Sequence, residues 1–406
     1  MPFKEVSFND TEKAFSAKDD KALKKSSWLF KFMGKPLLVK IFSKLTLFSF
    51  KIGLPIKGMV KSTIFSQFCG GESLDESQEA IKKLKHSRVG SILDYSVEGK
   101  ETEEDFEKTK NEILKIIGLA KGNPAIPYTC LKLTGIMTHS ILEKINAPRG
   151  VLGTRQTLSL EEQKQYDASI RRLNEIFQQA SDNKIPVYID AEESWIQEAI
   201  DGIAEAMMKK YNRESAVVLT TLQMYRWDRM DYLNRLIENA RKEKYFIGIK
   251  LVRGAYLERE NERAKTMGYK SPMQTSKENT DIDFDKAVTV CLENVDLITL
   301  CAGTHNEAST MFLIGKMTEL KIDKDNPHVY FSQLYGMSDH ITFNLADAGY
   351  NVTKYLPYGP IKSVIPYLIR RAQENTGIAG QMGRELKLIM EEKNRRQHNL
   401  LLKSGS

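Results

Sequence analysis

The chain has 406 residues, 41% of them hydrophobic and 28% charged, with 60 Lys and Arg against 53 Asp and Glu. That composition describes a soluble globular protein, large enough for one big α/β domain and an appendage, and excludes a disordered chain. The net charge of +7 is concentrated: residues 1–68 carry 13 Lys and 5 Asp or Glu, a balance of +8, which leaves the rest at −1. A nucleic-acid binder would spread basic surface over the folded body and interleave arginines. Here the excess is lysine beside apolar residues, so no nucleic-acid partner is expected.

Residues 1–84 read as a helical arm in which the segment Trp28 to Phe68 has no acidic residue. Its frequent lysines forbid a transmembrane span, and Glu5, Asp10 and Glu12 argue against a signal or transit peptide. Two readings remain open for the arm. It lies on an anionic membrane as an amphipathic element, or it packs against the main domain with its lysines outward. The expected location is the cytoplasm, on the inner face of the cytoplasmic membrane if the first reading holds.

From about residue 89 short β-rich runs alternate with helical, charged stretches. The runs are Val89–Ser96, Tyr128–Thr134, Pro186–Ala191, Ala216–Thr221, Phe246–Val252, Leu297–Ala302, His328–Phe331 and Val352–Leu356. Eight strands alternating with helices is the count for a closed (β/α)8 TIM-type barrel, here over residues 85–380. An open doubly wound sheet is the alternative, but no GxGxxG opens a helix after the first strand. Glu101–Ala120 and Glu161–Asn183 read as outer helices, and 381–406 as a C-terminal helix and tail, solvated and frayed after Gly383.

Cys69, Cys130, Cys291 and Cys301 show no CxxC pairing, and three of them sit in strand-like runs. They read as buried thiols of a reducing compartment. The six histidines form no HExxH motif, so no metal site is expected.

Barrel chemistry sits at the C-terminal ends of the strands. Those ends carry Lys132, Asp190, Gln223, Lys250, Arg253, Thr304, His305, Asn306, Gln333 and Tyr355. If the stretch from Ile361 is helical, Ile361, Ile365, Leu368 and Ala372 form a core stripe. Tyr367, Arg370, Arg371 and Glu374 then form a second stripe on roughly the opposite face. Adjacent arginines can present two planar forks to one carboxylate, and Glu374 lies within one turn of both.

Four runs together resemble the proline dehydrogenase family. They are Lys250-Leu-Val-Arg-Gly-Ala-Tyr256, Ile189-Asp-Ala-Glu-Glu-Ser194, Thr304-His-Asn-Glu307 with Phe331-Ser-Gln-Leu-Tyr-Gly-Met337, and Tyr355-Leu-Pro-Tyr-Gly359 with Tyr367-Leu-Ile-Arg-Arg-Ala-Gln-Glu-Asn375. The resemblance runs from about Ser91 to Asn375 and implies a distorted barrel that holds FAD. It implies that Arg370, Arg371 and Lys132 bind the proline carboxylate, and that Tyr256, Leu334, Tyr355 and Tyr367 wall the ring. Lys132 read by itself is also compatible with a barrel-mouth charge or a Schiff-base nucleophile. Toward the flavin the resemblance implies Asp190, Glu192, Lys250, Arg253, Gln333, Arg371 and Glu374, with backbone contacts from Val252, Gly254 and Ala255. Thr304, His305 and Asn306 would lie along the ribityl–pyrophosphate side, and Thr220 or Gln223 near the pyrimidine.

The order Lys250 then Arg253 resembles the eukaryotic-type branch, and Thr220-Thr-Leu-Gln223 departs from the commoner Asn-Thr-Tyr-Gln. The activity implied is oxidation of L-proline to Δ1-pyrroline-5-carboxylate by hydride transfer to flavin N5, with a membrane quinone as final acceptor. The pyrroline-5-carboxylate dehydrogenase that follows would be a separate protein. A hydroxyproline dehydrogenase is the nearest alternative, with a lysine-dependent barrel aldolase and a non-catalytic membrane-associated barrel further off.

Overall fold

A computed structural model describes residues 6–97, 101–146, 158–377 and 379–404, with side chains except at 51, 373–377, 379–382, 403 and 404. The chain opens with α1 (Thr11–Ala14), α2 (Asp20–Met33) and α3 (Pro36–Lys51). It then passes through α4 (Lys57–Val60), a π-helical turn over Lys61–Phe65 and α5 (Ser66–Phe68) to α6 (Leu74–His86). Strands and helices alternate from there: β1 (Gly90–Tyr95), α7 (Glu103–Ala120), β2 (Tyr128–Leu131), α8 (His139–Ile145), α9 (Leu160–Asn183), β3 (Val187–Ile189) and α10 (Ser194–Tyr211). Next come β4 (Val218–Gln223), α11 (Arg229–Glu243), β5 (Ile247–Val252), α12 (Leu257–Met267), α13 (Lys277–Glu293), β6 (Ile298–Gly303) and α14 (Glu307–Glu319). The series ends with β7 (Val329–Leu334), α15 (Asp339–Asp347), β8 (Val352–Tyr358), α16 (Ile361–Gly377) and α17 (Ala379–Ser404). The strands follow one another in chain order round a closed barrel, as the alternating pattern predicted.

By internal contacts the chain divides into Ser91–Ser332 and a second unit made of Met1–Gly90 with Gln333–Ser406. In the first unit neighbouring strands pair in parallel, with Thr129 opposite Val187, Leu219 opposite Gly248 and Lys250 opposite Cys301. Side chains alternate between the barrel interior and the helix layer. Tyr128, Tyr188 and Tyr330 fill the interior, with Tyr128 packed at 5.2 Å from the Tyr188 ring and edge-on at 4.8 Å to Tyr330. The outer helices begin where the sequence supplies caps. Thr102 caps α7 ahead of three acidic residues, and Ser159 and Glu162 form a reciprocal capping box on α9.

In the second unit α2 buries Leu23, Leu29, Phe30 and Met33 in a cluster with Val364, Ile365, Tyr367 and Leu368 of α16 and Leu388 and Ile389 of α17. Most of the arm is therefore structural. The tail past Gly383 is solvated only at its far end, where residues 397–402 are exposed: Glu385 and Glu392 are buried, and Glu392 receives Thr11 and both Arg395 and Arg396. Asp339 bridges Lys18 at 2.8 Å and Lys354 at 2.9 Å. Burial opposes the charge on Asp339, but the two ammonium groups outweigh it and hold its carboxyl far below the usual range. Gly336 has φ +78°, and a Cβ there would meet the Gln67 carbonyl at 1.9 Å, so this tight passage requires glycine.

All four cysteines are buried and free. Only Cys130 and Cys301 lie on strands; Cys291 is in α13 and Cys69 follows α5. The apolar run around Cys291 has helical periodicity, and a short window hides it.

Candidate active site

Inside the barrel the strand ends bring together a small charge network. Lys250 of β5 donates to the Asp190 carboxylate just past β3. Lys132, just past β2, lies 3.5 Å from both Asp94 and Asp190. Lys250, Asp94 and Asp190 are buried, and the Lys250 ammonium sits 5.0 Å above the Tyr188 ring. Burial alone would depress the Lys250 pKa. The Asp190 carboxylate outweighs burial, so it is held above the ordinary lysine value and stays charged.

Asp94 was not among the strand ends singled out from sequence, although it obeys the same positional rule at the end of β1. Asp94, Cys130 and Asp190 place two carboxylates and a thiol within 4.8 Å of one another. The donor chemistry does not suit a cation. Two ammonium groups already neutralise the carboxylates, and burial, aided by Asp94, pushes the Cys130 thiol well up and keeps it protonated.

The β3–α10 loop is held from several sides. Glu192 accepts the Thr134 amide at 3.1 Å and its hydroxyl at 2.5 Å. Its own carbonyl accepts the Gln223 side-chain amide at 2.7 Å. Burial pushes the Glu192 carboxyl up to about 7, the Thr134 hydrogen bonds pull against it, and Glu193 adds repulsion. Downstream, Glu260 of α12 accepts both the amide and the hydroxyl of Ser194 at 2.6 Å, tying the start of α10 to the segment after Gly254.

Gln223 donates to Glu192 and to Tyr225, while its Oε1 is buried without a hydrogen-bond partner. A buried orphan acceptor is costly unless a ligand donor meets it. Thr220 also has a buried hydroxyl without a partner. Strand alternation places it on the opposite face of β4 from Gln223, toward the helix layer. The side chain sharing Gln223's face is Thr221, whose hydroxyl donates to the Ile189 carbonyl at 2.9 Å.

Arg253 is drawn away from Lys250. It pairs with Asp281 of α13, donates to Ser309 at 2.8 Å and lies 4.0 Å over the Phe284 ring. Val252 ends β5, and Gly254 has φ +89° with open space where a Cβ would stand. Ala255 and Tyr256 lead into α12 half-buried. Thr304 is buried and accepts the Asn306 amide, His305 is half-buried, and Asn306 caps α14 by accepting from the Ser309 amide.

In the other unit, α16 buries Ile361, Ile365, Leu368 and Ala372, as the stripe predicted. Tyr367 and Arg371 are buried as well, the guanidinium 5.3 Å over the Tyr367 ring, and Arg370 is half-buried. The second stripe is thus not a solvated face. The Glu374 side chain lies outside the described residues. Gln333 is buried and accepts the Thr342 hydroxyl at 2.8 Å, while Leu334 and Tyr355 are half-buried. The Tyr355 carbonyl accepts the Tyr335 amide at 2.9 Å.

A family model described as proline dehydrogenase matches residues 77–384. The chain is 32% identical over 385 residues to proline dehydrogenase 1, mitochondrial, of Dictyostelium discoideum, covering 85% of this chain and 67% of that protein. It is 31% identical over 413 residues to the hydroxyproline dehydrogenase of Xenopus laevis, covering 92% and 88%. Proline utilization A from Bdellovibrio bacteriovorus, solved after inactivation by N-propargylglycine, superposes with a TM-score of 0.69 at 20% identity, over 92% of this chain and 39% of that one. At that identity the likeness supports the fold, and the chain spans well under half of that larger protein.

Proposed function

The chain belongs to the proline dehydrogenase family, and from that premise we propose that it oxidises L-proline to Δ1-pyrroline-5-carboxylate with FAD as cofactor and a membrane quinone as final acceptor. The observation that carries the cofactor reading is Gln223, whose buried Oε1 lacks a partner beside the Lys250–Asp190 pair. A flavin pyrimidine offers the N–H donor that such an acceptor needs. When bound, FAD supplies the hydride acceptor.

The chain's own residues supply orientation and charge. Lys250, fixed by Asp190 and kept cationic, is the group proposed to face the flavin, because Arg253 is engaged by Asp281 and Ser309. Gln223 reads the pyrimidine edge, with Thr220 left out because it points to the helix layer. Gly254 lets the backbone between Val252 and Ala255 pass close to the cofactor. Thr304, His305 and Asn306 approach its ribityl–pyrophosphate side. Arg370 and Arg371 present guanidiniums to the proline carboxylate, a geometry that lysine does not reproduce. Tyr256, Leu334, Tyr355 and Tyr367 supply the apolar walls that a pyrrolidine ring requires. Lys132 belongs to the Asp94–Asp190 network and lends positive charge, not a lone clamp.

A Schiff-base aldolase is disfavoured, since it needs a free, neutral amine and Lys132, the lysine that the sequence offers for it, lies 3.5 Å from both the Asp94 and the Asp190 carboxylates. Likeness to the Xenopus protein keeps 4-hydroxyproline as the second reading. The test is one absorbance spectrum before and after anaerobic proline. A flavin spectrum bleached by proline is expected; a colourless protein, or a flavin that proline leaves oxidised and hydroxyproline bleaches, overturns the reading.

A further inference from the structure

Within the unit that contains it, α3 has two unlike sides. Val39 is buried and Phe50 packs against the apolar cluster shared with α2 and α16. Leu37, Ile41, Leu45, Phe48 and Ile52 recur at i, i+4, i+8, i+11 and i+15, which aligns them in one stripe. That stripe points away from the buried side, with exposures of 71%, 44%, 53%, 58% and 54%. Leu54 and Met59 in the following turn extend it, both about half exposed. An exposed apolar stripe of this length is unusual on a protein surface and marks an interaction site.

Charge decides the occupant. No Asp or Glu occurs from residue 28 to residue 71, whereas lysines occur at 31, 35, 40, 44, 51, 57 and 61. Lys57 and Lys61 are bound by Glu72 and Glu76. Among the described residues Lys40 and Lys44 have no carboxylate partner, and both are exposed beside the stripe. A second copy of this chain seated on the stripe would bring like charges together with no acidic group to pair them. An anionic lipid surface complements both parts, taking the apolar ridge into the acyl boundary and the ammonium groups among its phosphates. No described helix is long and apolar enough to cross a membrane, so the element would lie in the interface plane.

We propose that α3 and the turn to Met59 form an in-plane docking surface for an anionic phospholipid bilayer, while α1 and α2 belong to the packed core. The surface is independent of the chemistry proposed for the barrel.

The test is co-sedimentation of the full chain with vesicles of phosphatidylcholine mixed with phosphatidylglycerol, against phosphatidylcholine alone, at low and high salt. Binding to the anionic vesicles that falls with salt is expected. Leu45→Glu with Phe48→Glu should reduce partitioning by at least about tenfold, and Lys40→Gln with Lys44→Gln by about fivefold per lysine. All four side chains are exposed, so thermal unfolding followed by circular dichroism should be unchanged and a folding defect is separable. Absence of binding in the intact chain, or binding insensitive to both variants, overturns the proposal. So does a concentration-dependent dimer that Leu45→Glu with Phe48→Glu dissociates without any vesicle binding, since a second copy would then cover the stripe.

Discussion

Lys250 and Asp190 form a buried ion pair inside the barrel although they are sixty residues apart in sequence. Each end is anchored on the barrel, since Lys250 sits mid-strand on β5 and Asp190 follows β3 directly. Removing one partner leaves an uncompensated buried charge, which costs about 3–5 kcal/mol. Asp190→Ala is therefore expected to lower the urea midpoint strongly, while the double variant Asp190→Ala with Lys250→Met should recover a good part of the loss. Equal loss in the single and double variants would show that the pair is not coupled.

The arginines of α16 give a kinetic prediction. Arg370→Met should raise the KM for proline at least about thirtyfold, the equivalent of roughly 2 kcal/mol for an unpaired carboxylate, with flavin content unchanged. Arg371→Met should do the same and also lower stability, because Arg371 is buried against Tyr367. Unchanged KM in both variants would remove α16 from the proposed clamp.

As one of the proposed walls of the pyrrolidine ring, the bulky Tyr355 should crowd a ring hydroxyl. Tyr355→Ser should move the ratio of kcat/KM values toward 4-hydroxyproline, since specificity is a difference of transition-state affinities. A single extra polar group in an apolar pocket is rejected only about tenfold to a hundredfold, which sets the size of the available shift. A ratio that stays fixed places the discrimination elsewhere.

Glu192 gives the stability a pH dependence of known sign. Burial pushes its carboxyl from the ordinary 4.5 up to about 7. Between those values the folded chain keeps a proton that the unfolded chain has released, so stability falls as pH rises through the window and levels off above it. The penalty above pH 7 is roughly 3 kcal/mol. Glu192→Gln retains an acceptor for the Thr134 amide and removes the titration. Its unfolding free energy should be flatter between pH 4.5 and 7 than that of the parent and should exceed it at pH 8; parallel curves would refute the shifted carboxyl.

The barrel was legible because its signals are local. β-rich runs separated by capped, charged stretches gave eight strands in the right places, and each end of every observed strand falls within three residues of its expected run. The α16 core stripe was legible for the same reason, since helical period depends on one segment alone. The face of a strand relative to its neighbours is less so. Thr220 and Gln223 looked interchangeable in sequence, yet the period of two sends them to opposite sides of β4.

What only the tertiary structure decided is who meets whom. Nothing near Arg253 in sequence says that Asp281 and Ser309 will hold it while Lys250 stays with Asp190. Nothing near Glu392 announces Thr11. The lysine-rich arm was ambiguous between core and membrane because both environments accept apolar residues equally well. The fold divided it: α2 found a buried partner in α16 and α17, whereas one side of α3 did not. A sequence records how much apolar surface a segment must hide; which part of it finds a protein partner depends on elements that arrive more than three hundred residues later in the chain.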